Sequence, residues 1–207
     1  NDARRRSGLR TPVIQKGKVK MSSVTALNGA TRNGIMDVAD AGLMGMITLR
    51  GNLASPVIAK AVKAATGTAM PDARQCVTGA KGATAWMSPD ELLLMVDYAT
   101  VDATIAKLEK ALSGVHNLIA NVSDARAVYD LNGAAIRDVL AKGSPADLSS
   151  DVLPVGEVRR TRIAQLAVAF WFADDNTARL VCFRSVAGYI MDWLENASET
   201  GSEVGFH

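Results

Sequence analysis

The side chains able to do chemistry are few and scattered along this chain. Of the two histidines, His207 is the last residue and His116 opens a predicted strand with no second histidine nearby. A zinc site needs three or four convergent ligands, so His116 reads as a structural or surface residue and no metal site is expected. Cys76 and Cys182 are far apart and in no CxxC pattern. They read as two free, buried thiols in a reducing cytoplasm. The acid pairs Asp90-Glu91 and Asp174-Asp175 fall in predicted hairpin turns, where carboxylates bond their own backbone. Gly79, Lys81 and Gly82 offer the glycines and the cation of a phosphate loop, but their spacing fits neither the P-loop nor GxGxxG. Trp86, Trp171 and Trp193 read as core or interface anchors. No catalytic residue is assigned, because nothing here pairs a nucleophile with a base.

The totals narrow the class. A chain of 207 residues that is 48% hydrophobic and 21% charged can bury a substantial core. Its most apolar stretch, 163–173, contains Gln165 and falls short of the ~18–20 residues of a membrane span. No membrane contact is expected. The formal charge of +2 hides a division. Residues 1–20 hold seven basic side chains and one acid; the other 187 hold 16 basic and 20 acidic ones, a net of −4. That balance argues against a folded nucleic-acid-binding face. The arginine-rich start is followed by no apolar run, so no secretory signal is expected and the predicted location is cytoplasmic.

These residues must be positioned by an α+β body. Residues 1–43 lack sustained periodicity and read as an extended arm with enough apolar side chains to lie along a partner. A strand at 44–50 leads to a helix with Ser55 as N-cap, Pro56 near its start and Gly67 just beyond its end. After a loop over 66–82, a hairpin pairs 83–87 with 92–96 around Pro89. A helix over 101–112, capped by Thr100, and a strand over 115–122 complete this half. The plan then restarts: a strand at 126–131, a helix opened by Gly133, a loop over 144–156, one long strand over 160–172, a return strand at 178–183 and a last helix capped by Ser185.

The two halves, 44–122 and 125–197, share marks. Leu49-Arg50-Gly51 answers Leu131-Asn132-Gly133, and Trp86 answers Trp171, at 35 and 38 positions from the respective glycines. The expected fold is a duplicated split βαβ (ferredoxin-like) unit over 44–197, with the arm before it and a fraying polar tail over 198–207.

Several blocks carry a resemblance. Asn121-Val122-Ser123-Asp124-Ala125-Arg126, Leu131-Asn132-Gly133, Arg137 to Gly143 and Pro145-Ala146-Asp147-Leu148 resemble the gamma subunit of heterotetrameric sarcosine oxidase. Leu49 to Leu53, Trp86 to Leu94, and Arg184-Ser185 leading to Tyr189 and Trp193 agree in order. Ala146 stands where a larger apolar residue is usual, and Asn52 where an acid is.

The resemblance implies a fold like the folate-binding domain of aminomethyltransferases. It also implies a subunit without chemistry of its own, in a complex that oxidises sarcosine to glycine. That complex makes hydrogen peroxide, and formaldehyde or 5,10-methylenetetrahydrofolate. FAD, covalent FMN, NAD, zinc and tetrahydrofolate would lie on the other subunits, and this chain would bind none of them. The alpha subunit would be the main contact, with beta and delta completing the heterotetramer. The alternative is a stand-alone folate-binding or aminomethyltransferase-like module. In it Asp90 and Glu91 would hold the pterin, and Arg126 and Arg137 the glutamate carboxylates.

Overall fold

The computed structural model describes residues 23–205. Its strands are β1 (Thr31–Arg32), β2 (Asp37–Asp40), β3 (Met44–Gly51), β4 (Cys76–Gly79), β5 (Gly82–Ser88), β6 (Glu91–Asp97), β7 (Asn117–Asn121), β8 (Arg126–Asn132), β9 (Arg159–Ile163), β10 (Leu166–Asp174) and β11 (Thr177–Phe183). Four helices join them: α1 (Pro56–Thr66), α2 (Val101–Ala111), α3 (Ile136–Ala141) and α4 (Ala187–Ala197). Helix α1 ends as its sequence dictates. Gly67 takes the left-handed conformation at φ 75° and returns its N–H to the Lys63 carbonyl. The expected hydroxyl caps do not form. Ser55 has N-cap geometry without a side-chain bond. Ahead of α2, Asp97 caps a single 3-10 turn, accepting from the Ala99 N–H at 2.7 Å. A similar turn, Arg184–Val186, displaces Ser185 from the cap of α4.

Period-two burial builds two antiparallel sheets, ordered β4-β5-β6-β3-β7 and β1-β2-β8-β11-β10-β9. The sheets face each other across Met46, Met87, Leu93 and Met95 on one side and Val128, Val158, Trp171 and Val181 on the other. Helices α1 and α2 cover the outer face of the five-stranded sheet through Ile58, Val62 and Leu108. Helices α3 and α4 cover the other sheet through Ile136, Val139, Ile190 and Leu194. Strands buried on both faces, such as Leu92-Leu93-Leu94, therefore read as unbroken apolar runs.

The duplication is present in detail. In both halves the glycine after the first strand bonds the hairpin turn: Gly51 N–H to Asp90 O and Gly133 N–H to Asn176 O, each at 2.9 Å. Both hairpins carry a register shift at the same place, between Trp86 and Ser88 and between Phe172 and Asp174. The counterpart of Trp86 is therefore Phe172, not Trp171. One residue of offset turns a side chain to the opposite face. Trp86 packs toward the helices, and Trp171 lies in the layer between the sheets.

Four further expectations change. The long strand over 160–172 is a hairpin, β9 and β10, turning at Ala164 with φ 51°. Neither Ala164 nor Gln165 is a residue type that announces a turn. The loop over 66–82 contains β4. The expected arm divides. Residues 1–22 lie outside the described residues, whereas β2 pairs with β8 from Asp37↔Asn132 to Asp40↔Tyr129 and buries Met36 and Val38 to 1% exposure. In the first half the strand after α2, β7, flanks β3. No strand follows α4 among the described residues, and β2 takes the matching place beside β8. The tail is also held: Ser198 is buried, and the Lys142 ammonium donates to the carbonyls of Ala197 and Ser202, both at 2.6 Å.

Candidate functional site

The β3–β6 register sets Arg50 opposite Glu91. Arg50 Nη2 lies 2.8 Å from Glu91 Oε2, and its Nη1 is 3.8 Å from Asp90 Oδ2. Glu91 is only 7% exposed, so its charge is matched where water is scarce. The Ser88 hydroxyl donates to Asp90 at 2.6 Å. That bond, opposed by desolvation and helped by Arg50, holds the Asp90 carboxyl below its usual range. Arg50 is held above its own, first by its bond to Glu91 and then by that carboxylate's charge. Asp90 is thus a fixed anion at neutral pH and no proton donor. Sequence spacing hid Arg50 as the partner because the register decides it.

Arg126 and Arg137 separate. Arg137 belongs to the packing of the second half. Its Nη1 donates to the carbonyls of Leu148 at 2.5 Å and Leu153 at 3.0 Å, and its guanidinium stacks 4.0 Å from the Phe172 ring. Desolvation lowers its pKa, an effect Asp175 opposes. Arg126 instead lines an open cleft of about 570 Å³ with Arg74, Arg159, Arg160, Trp86 and Phe183. Burial lowers its pKa, Glu91 opposes that shift, and Arg160 adds to it. The structure therefore groups Asp90 and Glu91 with Arg50, sets Arg126 within electrostatic reach of Glu91, and keeps Arg137 out of the cleft lining. The basic pair Arg159-Arg160 is the sequence signal for the cleft, and it sits at the edge of the single strand expected over 160–172.

The remaining reactive groups are quiet. His116 is exposed at the start of the β7 segment, and among the described residues no three of His, Cys, Asp and Glu stand close enough to hold a metal ion. Both cysteines are free: Cys182 is buried and Cys76 partly so. Desolvation pushes Cys76 up to about 12, against the pull of Arg179, and Cys182 up to about 11, against a bond with Tyr129. Such thiols hold their protons and react slowly. At about pH 8 a disulfide reagent is expected to label neither within minutes in the native chain and both in denaturant, as followed by absorbance. Because each folded pKa is raised, the linked stability is complete below the unfolded thiol value and fades as pH climbs through the folded one.

Comparisons with known proteins agree with this frame. Residues 50–200 match the model of the sarcosine oxidase, gamma subunit family. The sarcosine oxidase subunit gamma of Corynebacterium sp. (strain U-96) is 32% identical over 66% of this chain and 67% of its own. That of Corynebacterium sp. (strain P-1) is 29% identical over 82% of each. A chain in the heterotetrameric sarcosine oxidase structure from Corynebacterium sp. U-96 superposes with a TM-score of 0.72 at 26% identity, covering 81% of this chain and 87% of that one. The glycine cleavage system aminomethyltransferase T of Bartonella henselae shares the fold at a TM-score of 0.58 and 16% identity, over 82% of this chain and 48% of its own. With a family model matched over residues 50–200 and a relative 32% identical, the chain belongs to the sarcosine oxidase gamma subunit family.

Proposed function

We propose that this chain is a non-catalytic subunit of a heterotetrameric sarcosine oxidase, docked mainly on the alpha subunit beside beta and delta. The observation that carries the reading is the family match over residues 50–200, joined to the superposition on a chain of a heterotetrameric sarcosine oxidase. The assembly would oxidise sarcosine to glycine and hydrogen peroxide, with the methyl carbon leaving as formaldehyde or 5,10-methylenetetrahydrofolate. It is a flavin-dependent oxidoreductase in this reading. FAD, covalent FMN, NAD, zinc and tetrahydrofolate reside on the other subunits. Support for a chain without chemistry of its own comes from what the reactive groups do: the hairpin acids are committed to Arg50 and Ser88, and the thiols are desolvated. The folded body, from β1 to the end of α4, supplies the docking scaffold, and its location in this reading is the cytoplasm. No described helix is long and apolar enough to cross a membrane.

The test is co-purification of the chain from its native source. The expected eluate is yellow, contains several subunits and makes peroxide on addition of sarcosine. A colourless eluate of this 21.8 kDa chain alone would overturn the reading.

A further inference from the structure

The cleft between the sheet edges carries charge that the fold does not match. Strand alternation aims two of its walls: Val128 and Val181 lie in the inter-sheet core, so Arg126 and Phe183, two residues away along β8 and β11, share that face, and Arg160 stands two residues beyond Val158, a core residue just before β9. The edges are stitched at one end by the Gln75↔Glu157 bridge, with Val158 N–H donating to the Arg74 carbonyl at 2.5 Å. This holds Arg74 at φ 64°, a left-handed conformation costly for arginine. Arg74, Arg126, Arg159 and Arg160 line the cleft, and one carboxylate oxygen answers two of them. Glu157 Oε1 lies 3.4 Å from Arg74 Nε and 3.1 Å from Arg159 Nη2. Arg160 has the Met87 carbonyl at 2.6 Å. Arg126 has the Phe183 ring at 5.9 Å and no hydrogen bond to a described residue. Glu91, the carboxylate whose charge reaches it, is already taken by Arg50.

Clustered guanidinium groups with few counter-charges repel one another and lose hydration, costs that an incoming anion offsets. A site for a neutral ligand would be mainly apolar; four arginines in about 570 Å³ suit charge instead. Planar guanidinium forks fit carboxylate and phosphate oxygens. The exposed Phe183, at 55%, adds a flat surface at the rim.

We propose that this cleft binds a polyvalent oxyanion, a ligand presenting two or more carboxylate or phosphate groups, between Arg126 and Arg160. This inference concerns the chain itself and does not depend on the assembly reading.

The experiment is titration of the purified full chain with citrate, pyrophosphate and hexaglutamate at constant ionic strength. Calorimetry is the readout, with tryptophan fluorescence as a second signal. Saturable binding is expected, weakened about tenfold or more in Arg126→Gln/Arg160→Gln. Neither substitution orphans Glu157, and circular dichroism checks the fold. Arg179→Gln removes the same charge at an arginine paired with Asp130 and is expected to leave affinity unchanged. Saturation by citrate or pyrophosphate identifies a free small anion; saturation by hexaglutamate alone identifies an acidic polypeptide segment. Both support the site. No saturation by any of the three, equal displacement by acetate, or equal loss in the Arg179 variant overturns it.

Discussion

A chain lacking residues 1–43 is expected to lose the cooperative fold of its second half. The deletion strips β1 and β2 from the six-stranded sheet and leaves β8 with a bare edge. It also removes Met36 and Val38, each 1% exposed within the core shared with Tyr129, Leu131 and Ile190. Large-to-small changes at such sites cost about 1–5 kcal/mol each. Removing both side chains and the β2–β8 ladder therefore approaches the ~5–15 kcal/mol that holds a domain together. Urea unfolding followed by circular dichroism is the measurement; an unchanged midpoint would show that β2 is dispensable. A milder variant tests the same junction. In Gly34→Ala the new Cβ would stand 2.0 Å from the Ser198 carbonyl oxygen, and the adjacent Ile35 N–H bonds that oxygen at 2.8 Å. Backbone at both sides leaves nothing flexible to yield, so the start of the body separates from the end of α4.

Arg137→Ala is expected to destabilise the fold by about 2–4 kcal/mol. The substitution leaves the Leu148 and Leu153 carbonyls without the guanidinium that bridges them and removes the stack on Phe172. A charge-assisted bond is worth about 1.5–3 kcal/mol, and a desolvated cation over an aromatic ring about 2. The total stays below their sum because the segment over 144–156 relaxes and water reaches part of it. Arg137→Lys recovers the stability only in part, since an ammonium can donate to both carbonyls but cannot lie flat on the Phe172 ring. Thermal and urea unfolding check both variants. If Arg137→Ala kept full stability, the side chain would be free for a ligand, as the folate-module reading requires.

The sequence by itself determined a good deal. Apolar periodicity marked the helices and most strands, Pro56 and Gly67 bounded α1, and the repeated Leu-x-Gly marks gave away the duplication. Motif order pointed to the family. These signals are local: period, turn residues and caps act within one or two turns of chain. The tertiary structure decided what lies far apart in sequence. It placed β2 beside β8, because an edge is filled by whichever segment buries Met36 and Val38 there, wherever that segment lies in the chain. It fixed the one-residue offset that puts Phe172 opposite Trp86 in the repeat, since a bulge changes which face a side chain meets without changing composition. It gave Glu91 to Arg50 through strand register, and it turned Arg137 inward while leaving Arg126 at the cleft. Charge in a sequence says how many cations there are. Only the pairing of strands says which of them have an anion within reach.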